Sequence, residues 1–227
     1  MAARLRVISI GAIAAHPSWG EKGEVRPPHA TTCLIESGKH RILVDPSLPA
    51  QILVPRLAER SGKRPEDITH VFLTSFHPMR RRGMAAFAEA TVLLAAAERE
   101  GVREQLGARL AQAEQHEDED LIRVMREEMA ALAACEEAPD RLAEGVDLFP
   151  LPGVTPGNAG LLLTTPGAAT LLTGDAVATV EHLEEGRLIA PCFDMEQARE
   201  SMAEAVEIAD LLVPGRDNLC PNPLRRF

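Results

Sequence analysis

Short apolar blocks, punctuated by Gly, Pro and Asx residues, recur along the chain, and each reads as a strand. Residues 4–15 open the series. After a Gly/Pro-rich loop at 16–29 come strands at 30–36 and 40–44, joined through Ser37-Gly38-Lys39 as a tight hairpin with glycine where a positive φ is needed. Ile52, Val54, Leu57 and Ala58 fall at helical spacing, and Gly62 closes that helix. Pro55 lies inside the pattern and predicts a kink or the helix's true start. Residues 69–74 form a central strand, broken at Pro78 and restarting as a helix over 84–89 before a strand at 91–95.

Residues 96–135 then read as two helices with acidic exposed faces, hinged about His116-Glu117-Asp118. Leu106, Leu110 and Ala113 form the apolar stripe of one arm, and Leu121, Val124, Met129 and Leu132 that of the other. This hairpin, 96–136, is an insertion whose expected role is a surface cover, a lid or a dimer contact. Strands follow at 146–150, 159–164 and 169–173, the last two joined through Pro166-Gly167. A helix begins at Asp194 with a capping-box pattern completed by Gln197, and carries Met195, Ala198, Met202, Ala205, Val206 and Ala209 as its buried stripe. Residues 211–213 are the last strand. The order predicts an α/β protein, a single domain over 1–227 made of two αβ halves folded onto each other.

Composition narrows the function classes. With 45% hydrophobic residues the chain can bury a sizeable core, and its formal net charge of -10 argues against nucleic acid and anionic membrane partners. Cys33, Cys135, Cys192 and Cys220 show no close pair spacing, so they read as buried thiols of a reducing cytoplasm. Arg4 and Arg6 precede an apolar run, but Gly11 and Pro17 interrupt it, and a first strand is the better reading than an export signal.

Five stretches, in this order and at these distances, together resemble the metallo-β-lactamase superfamily: Leu43-Val44-Asp45, the strand and turn at 74–83, Pro152-Gly153-Val154-Thr155-Pro156-Gly157, Leu172-Thr173-Gly174-Asp175-Ala176, and Pro214-Gly215-Arg216-Asp217. The resemblance implies a four-layer αββα sandwich with a helical-hairpin insertion and an active site along the strand ends. It also implies seven metal-ligand positions, which fall on Ser75, His77, Met79, Arg80, Val154, Asp175 and Arg216. Only His77 and Asp175 keep ligand chemistry; Ser75, Met79, Arg80, Val154 and Arg216 stand where ligands are lost. Val154 cannot ligate, Met79 offers a soft thioether in place of a hard carboxylate, and each arginine brings a permanent cation. Two unit charges about 4 Å apart repel by roughly 4 kcal/mol at an effective dielectric of 20.

No metal cofactor is therefore expected. If one binds, His77 and Asp175 would hold it, with zinc or another divalent transition metal as the alternative, and Cys192 and Cys220 are the residues a rebuilt site could recruit. The expectation is that Arg80 and Arg216 stand in for the missing dications on either side of Asp175, with His77 beside them and Asp45 supporting the His77 turn. Arg81 and Arg82 read as solvated helix-start residues.

Three functions fit. One is a pseudoenzyme in which His77 and Asp175 are vestigial catalytic residues and Arg80, Arg216, Ser75 and His77 bind an anionic small molecule such as a carboxylate or phosphate. A second is an active hydrolase of an ester, lactone or thioester with an incomplete or relocated metal site; Ser75 with His77 as base is a further variant, without an oxyanion motif. The pseudoenzyme reading includes service as a scaffold or homodimer partner, and the third function is a bare structural domain with no ligand.

Overall fold

The computed structural model describes residues 3–224. Its first sheet holds β1 (Arg4–Ser9), β2 (Thr32–Ser37), β3 (His40–Val44), β4 (His70–Leu73), β5 (Thr91–Leu94) and β6 (Glu136–Glu137), in that order. The first three pair antiparallel, and β3 to β6 run parallel. The second sheet holds β7 (Arg141–Ala143), β8 (Val146–Pro150), β9 (Ala159–Thr165), β10 (Ala168–Gly174), β11 (Leu211–Pro214) and β12 (Cys220–Pro221), also in chain order across the sheet. Only β10 and β11 are parallel there.

Alternation along the strands builds three apolar layers. Ile35, Ile42, Val44 and Phe72 of the first sheet face Val146, Leu161, Leu163, Leu172 and Val213 of the second. On the first sheet's outer face, Leu34, Leu43, Val71 and Leu73 pack under α1 (Ala50–Ser61) and the hairpin of α2 (Ala96–Gln115) and α3 (Glu119–Ala133). On the second sheet's outer face, Leu171 and Leu212 pack under α4 (Val180–Glu184) and α5 (Met195–Ile208). The layers are helix, sheet, sheet, helix, the expected αββα sandwich.

Several local expectations change. The first strand stops at Ser9, and Ala12 makes only an isolated bridge to His29. Pro55 sits inside α1 rather than at its start, and the buried face is Leu53 and Leu57, while Ile52 is 48% exposed. The helical restart after Pro78 is two 3-10 turns, 78–81 and 84–87. The hairpin hinge lies where expected, with Glu117 at φ 53 and Asp118 capping α3 through Leu121 N. The α3 stripe holds at Met129 and Leu132 but is out of phase in its first half: Ile122 and Met125 are buried, Leu121 and Val124 exposed. Asp194 caps α5, but its own N–H donates to Gly153 O instead of to Gln197, and Met195 is exposed.

Candidate functional site

The side chains singled out leave the carboxyl ends of parallel strands, where α/β sheets open a crevice. Asp45 follows β3, Ser75 to Arg80 follow β4, Asp175 follows β10 and Arg216 follows β11. Glycine lets the last two meet. Gly174 adopts φ +56, and a Cβ on Gly215 would lie 2.4 Å from Gly174 O and 2.8 Å from Asp175 Oδ1. Any larger residue at 215 would push the Arg216 turn away from Asp175.

Two guanidinium groups meet at Asp175. Arg216 grips it with a fork, Nε to Oδ1 at 3.0 Å and Nη2 to Oδ2 at 2.9 Å. Arg80 approaches from the β4 turn, with Nη2 2.7 Å from Asp175 Oδ1 as an ion pair and Nη1 donating to Asp45 Oδ2 at 2.5 Å. Asp45, in a left-handed conformation at φ 47, also accepts from Thr74 N at 2.9 Å and Thr74 Oγ1 at 2.8 Å. Two cations thus face two carboxylates. Burial alone would raise Asp175, but the charges of Arg80 and then Arg216 hold its carboxyl far below the usual range. Burial lifts Asp45, against the pull of Arg80. Arg80 stays charged: burial opposes this, and Asp175 and Asp45 outweigh it.

The expected roles divide at this point. Arg80 is 0% exposed and is not among the residues lining the cleft, so it lies behind the floor rather than in ligand reach. Its Nη1 bonds Asp45 and its Nη2 is in ion-pair range of Asp175, while Nε has no hydrogen-bond partner among the described residues. Asp45 braces the β4 end and Arg80 and makes no bond to His77. Arg81 is not solvated: it stacks on Phe76 at 4.2 Å, donates to Phe76 O at 3.2 Å, and pairs with Glu128 of α3. Arg82 is exposed and donates to Pro28 O at 2.9 Å. His77 lines the cleft, its Nδ1 accepting from Met79 N at 3.2 Å. Burial, then Arg80, depress its pKa, so the ring is neutral at pH 7 and its proton sits on Nε2.

A cleft of about 640 Å³ opens over this floor. Ser75, His77, Asp175 and Arg216 line its base, and Val102, Leu106, Val124 and Met125 of the hairpin form one wall. The hairpin therefore supplies part of the cleft wall. Val154, Thr155 and Pro156 adjoin that wall, Pro156 seated close on Gly101 of α2, and Ile189, Ala190 and Pro191 form a further edge. Cys192 follows that edge with its thiol on Ile189 O at 2.9 Å, whereas Cys220 belongs to β12 rather than to a loop.

Sequence reasoning overlooked Glu98. It is 1% exposed in the first turn of α2 and accepts from Phe76 N at 2.9 Å, Thr155 Oγ1 at 2.6 Å and Gly157 N at 2.9 Å. One carboxylate thereby ties the hairpin to both loops that frame the cleft. Its signal was present: an acid in the first turn of a helix, where the N-terminal dipole favours it.

The donor set does not fit a dinuclear metal centre. Among the described residues no three His, Cys, Asp or Glu side chains are gathered as a metal ion requires, and the oxygens of Asp175 are already held by guanidinium groups.

The sequence model of the metallo-beta-lactamase superfamily matches residues 25–215. No curated protein sequence matches the chain. Among solved structures, a Thermotoga maritima protein described as a metallo-beta-lactamase superposes with a TM-score of 0.69 at 19% identity, covering 97% of this chain and 100% of its own. AiiA of B. thuringiensis, with N-decanoyl-L-homoserine bound at its active site, gives 0.66 at 21% identity, over 96% and 94% of the two chains. AidC, a dizinc quorum-quenching lactonase in complex with a product, gives 0.62 at 17% identity, over 78% and 67%. At these identities the likeness establishes the fold alone.

Proposed function

The chain belongs to the metallo-beta-lactamase superfamily, and from that premise we propose that it is a pseudoenzyme whose cleft holds an anionic small molecule rather than hydrolysing one through bound metal. The observation that carries this reading is the pair of guanidinium groups on Asp175. A dication placed there would meet two fixed positive charges, and its carboxylate would have to release both. Arg80, Arg216, Asp45 and Asp175 balance one another, so the cavity has no charge left for a metal to neutralise.

Ligand contact falls to the groups with capacity to spare. Among the described residues Arg216 Nη1 has only the Met79 sulfur at 3.8 Å, and His77 Nε2 carries a proton into the cleft. Both are donors, so the complementary ligand group is an acceptor, a carboxylate or phosphate. Apolar walls from Val102, Leu106 and Met125 suit a ligand with a hydrocarbon body behind that group.

Two measurements on the untreated protein test this. Elemental analysis should find no stoichiometric zinc, iron or manganese. Titration with inorganic phosphate and with acetate should show binding that Arg216→Gln weakens by about tenfold, the loss of one charge-assisted hydrogen bond. A stoichiometric metal bound through His77 and Asp175, or ester hydrolysis abolished by a chelator, would overturn the reading in favour of a metal-dependent hydrolase.

A further inference from the structure

Away from the cleft, a second buried polar cluster joins the loop after β1 to α4. His16 and His182 are 1% and 2% exposed and flank Thr179. The Thr179 hydroxyl oxygen lies 3.1 Å from His16 Nε2 and 2.9 Å from His182 Nδ1, and the His182 backbone N–H reaches it at 3.3 Å. The two rings sit edge to face at 5.2 Å. Trp19, the sole tryptophan of the chain, stacks on His16 at 4.3 Å and donates from its indole to Glu181 Oε1 at 3.2 Å. His16 Nε2 is also 3.3 Å from Glu181 Oε2, while His16 Nδ1 is buried with no partner among the described residues.

A proton inventory decides what this cluster tolerates. A hydroxyl has one proton to give and two lone pairs to fill. With both rings neutral, His16 Nε2–H and the His182 backbone N–H donate to Thr179 Oγ1, and the hydroxyl donates to His182 Nδ1. Every capacity of the oxygen is then used. A proton added at His182 Nδ1 meets the hydroxyl proton head on. Turning the hydroxyl toward His16 Nε2 requires that ring to carry its proton on Nδ1, which is buried without an acceptor among the described residues. Turning it toward the Glu181 carboxylate, with which it also bonds, leaves two lone pairs for three donors, His16 Nε2–H, His182 N–H and His182 Nδ1–H. Either way a buried donor loses its partner.

We propose that this cluster is a pH-sensitive clasp, in which protonation of His182 on acidification releases the strap of residues 10–29 and loosens the turn that bears Arg216. The charged groups facing it are accounted for on every side. Glu181 lies against His16 at 3.3 Å, and its charge also favours a proton on His182, against burial and Arg187. Glu185 pairs with Arg187 at 3.2 Å just past α4, and on the strap Glu21 pairs with Arg26 and accepts from His16 N at 2.7 Å. From the β11 side, Asp217 Oδ2 accepts Val180 N at 3.2 Å. Burial, then the neighbouring His16, hold His182 below its ordinary value of 6.5, so the clasp is closed at neutral pH. The ring binds a proton less readily folded than unfolded. Its contribution to stability is therefore full above that ordinary value and lost as pH falls from there toward the folded value.

The route to the cleft is short. Arg216 N donates to Ala178 O at 2.9 Å and Gly215 N to Val177 O at 2.8 Å, so residues 177–180 carry the clasp and brace the Arg216 turn together. The strap packs on the same turn: a Cβ on Gly11 would lie 2.7 Å from Arg216 Cα.

Trp19 reports the clasp without a label. Its emission, followed from pH 8 to pH 5 in the intact protein, should change in one transition with a midpoint below about 6.5. Far-ultraviolet circular dichroism should stay constant through it. His182→Gln, which still accepts from Thr179 but cannot titrate, should abolish the transition. In the wild-type protein, nuclear magnetic resonance should show the His182 ring, the Trp19 indole N–H and the Arg216 amide moving at one midpoint. A transition that persists in His182→Gln, an emission that never changes, or an Arg216 amide indifferent to pH would each overturn the proposal.

Discussion

Two buried carboxylates frame the same cleft and are satisfied in opposite ways. Asp175 faces two guanidinium groups, and Glu98 faces two backbone N–H groups and a threonine hydroxyl, none of them a cation. The first arrangement occupies the strand-end position where the superfamily resemblance implies metal charge, and it works only as a set, since Arg80 also serves Asp45. The second is a knot between segments: removing it frees α2 from the 76 and 155–157 loops but leaves no opposite charge stranded. Charge replacement and segment tying are thus separate jobs given to separate acids, and their mutational signatures should differ in size and in repair.

The largest difference comes from Arg80→Met. It strands Asp45 and leaves Asp175 with Arg216 alone, and breaking a buried pair in this way costs about 3–5 kcal/mol in urea denaturation. Adding Asp45→Asn should restore most of that loss, because Asp175 and Arg216 then remain as a balanced pair and a neutral, packed remainder is about as stable as a buried ionic one. A single Arg80→Met change costing less than about 1 kcal/mol would erase the distinction from Glu98.

Glu98→Gln is expected to be milder, about 1–3 kcal/mol, since the amide keeps one acceptor but turns an N–H toward a donor. No partner change at a cation should repair it. Glu98→Asp keeps the charge but shortens the reach, so it should lose the Phe76 bond or the pair at Thr155 and Gly157, not all three. Should a compensating cationic substitution rescue Glu98→Gln, Glu98 would belong with Asp175 after all.

The same contrast explains what was legible beforehand. The long strands and the hairpin hinge carry strong signals, short apolar runs bounded by turn residues in β2, β3 and β9 and Asp118 as a cap, and they appear where expected. The strands β6, β7 and β12 and the single turn of α4 were not foreseen, being too short to show any period. On α3 both Leu121/Val124 and Ile122/Met125 fit helical spacing, and only docking against β5 and α2 selects the second pair. Asp175 and both arginines could be placed together because the family resemblance puts all three at metal-ligand positions. Arg80's burial could not be foreseen, because it depends on Asp45 reaching back from β3 to take one end of the guanidinium. Glu98 was lost in a stretch rich in acids, where exposure is the usual reading; its burial follows from the close seat of Gly157, whose Cβ would lie 2.0 Å from Glu98 N.

The smallest expected effect is a slope. The Asp175 carboxyl is held below its ordinary value of 3.8 despite burial, by Arg80 first and Arg216 second. A carboxylate depressed in the folded state lends stability that is complete above its unfolded value and is lost as pH falls through the folded one. The stability gap between wild type and Arg216→Gln should therefore stay flat from pH 7 to about pH 4, varying by less than about 0.5 kcal/mol, and shrink only in stronger acid. Histidines that resist protonation, His77 and His182 among them, weaken both proteins together over that range and cancel in the difference, except through His77's small response to Arg216 itself. A gap that closes already between pH 7 and pH 5 would mean that Arg216 acts through a histidine instead of through Asp175. Asp175 would then be a segment tie of the Glu98 kind, and the division between the two acids would fail.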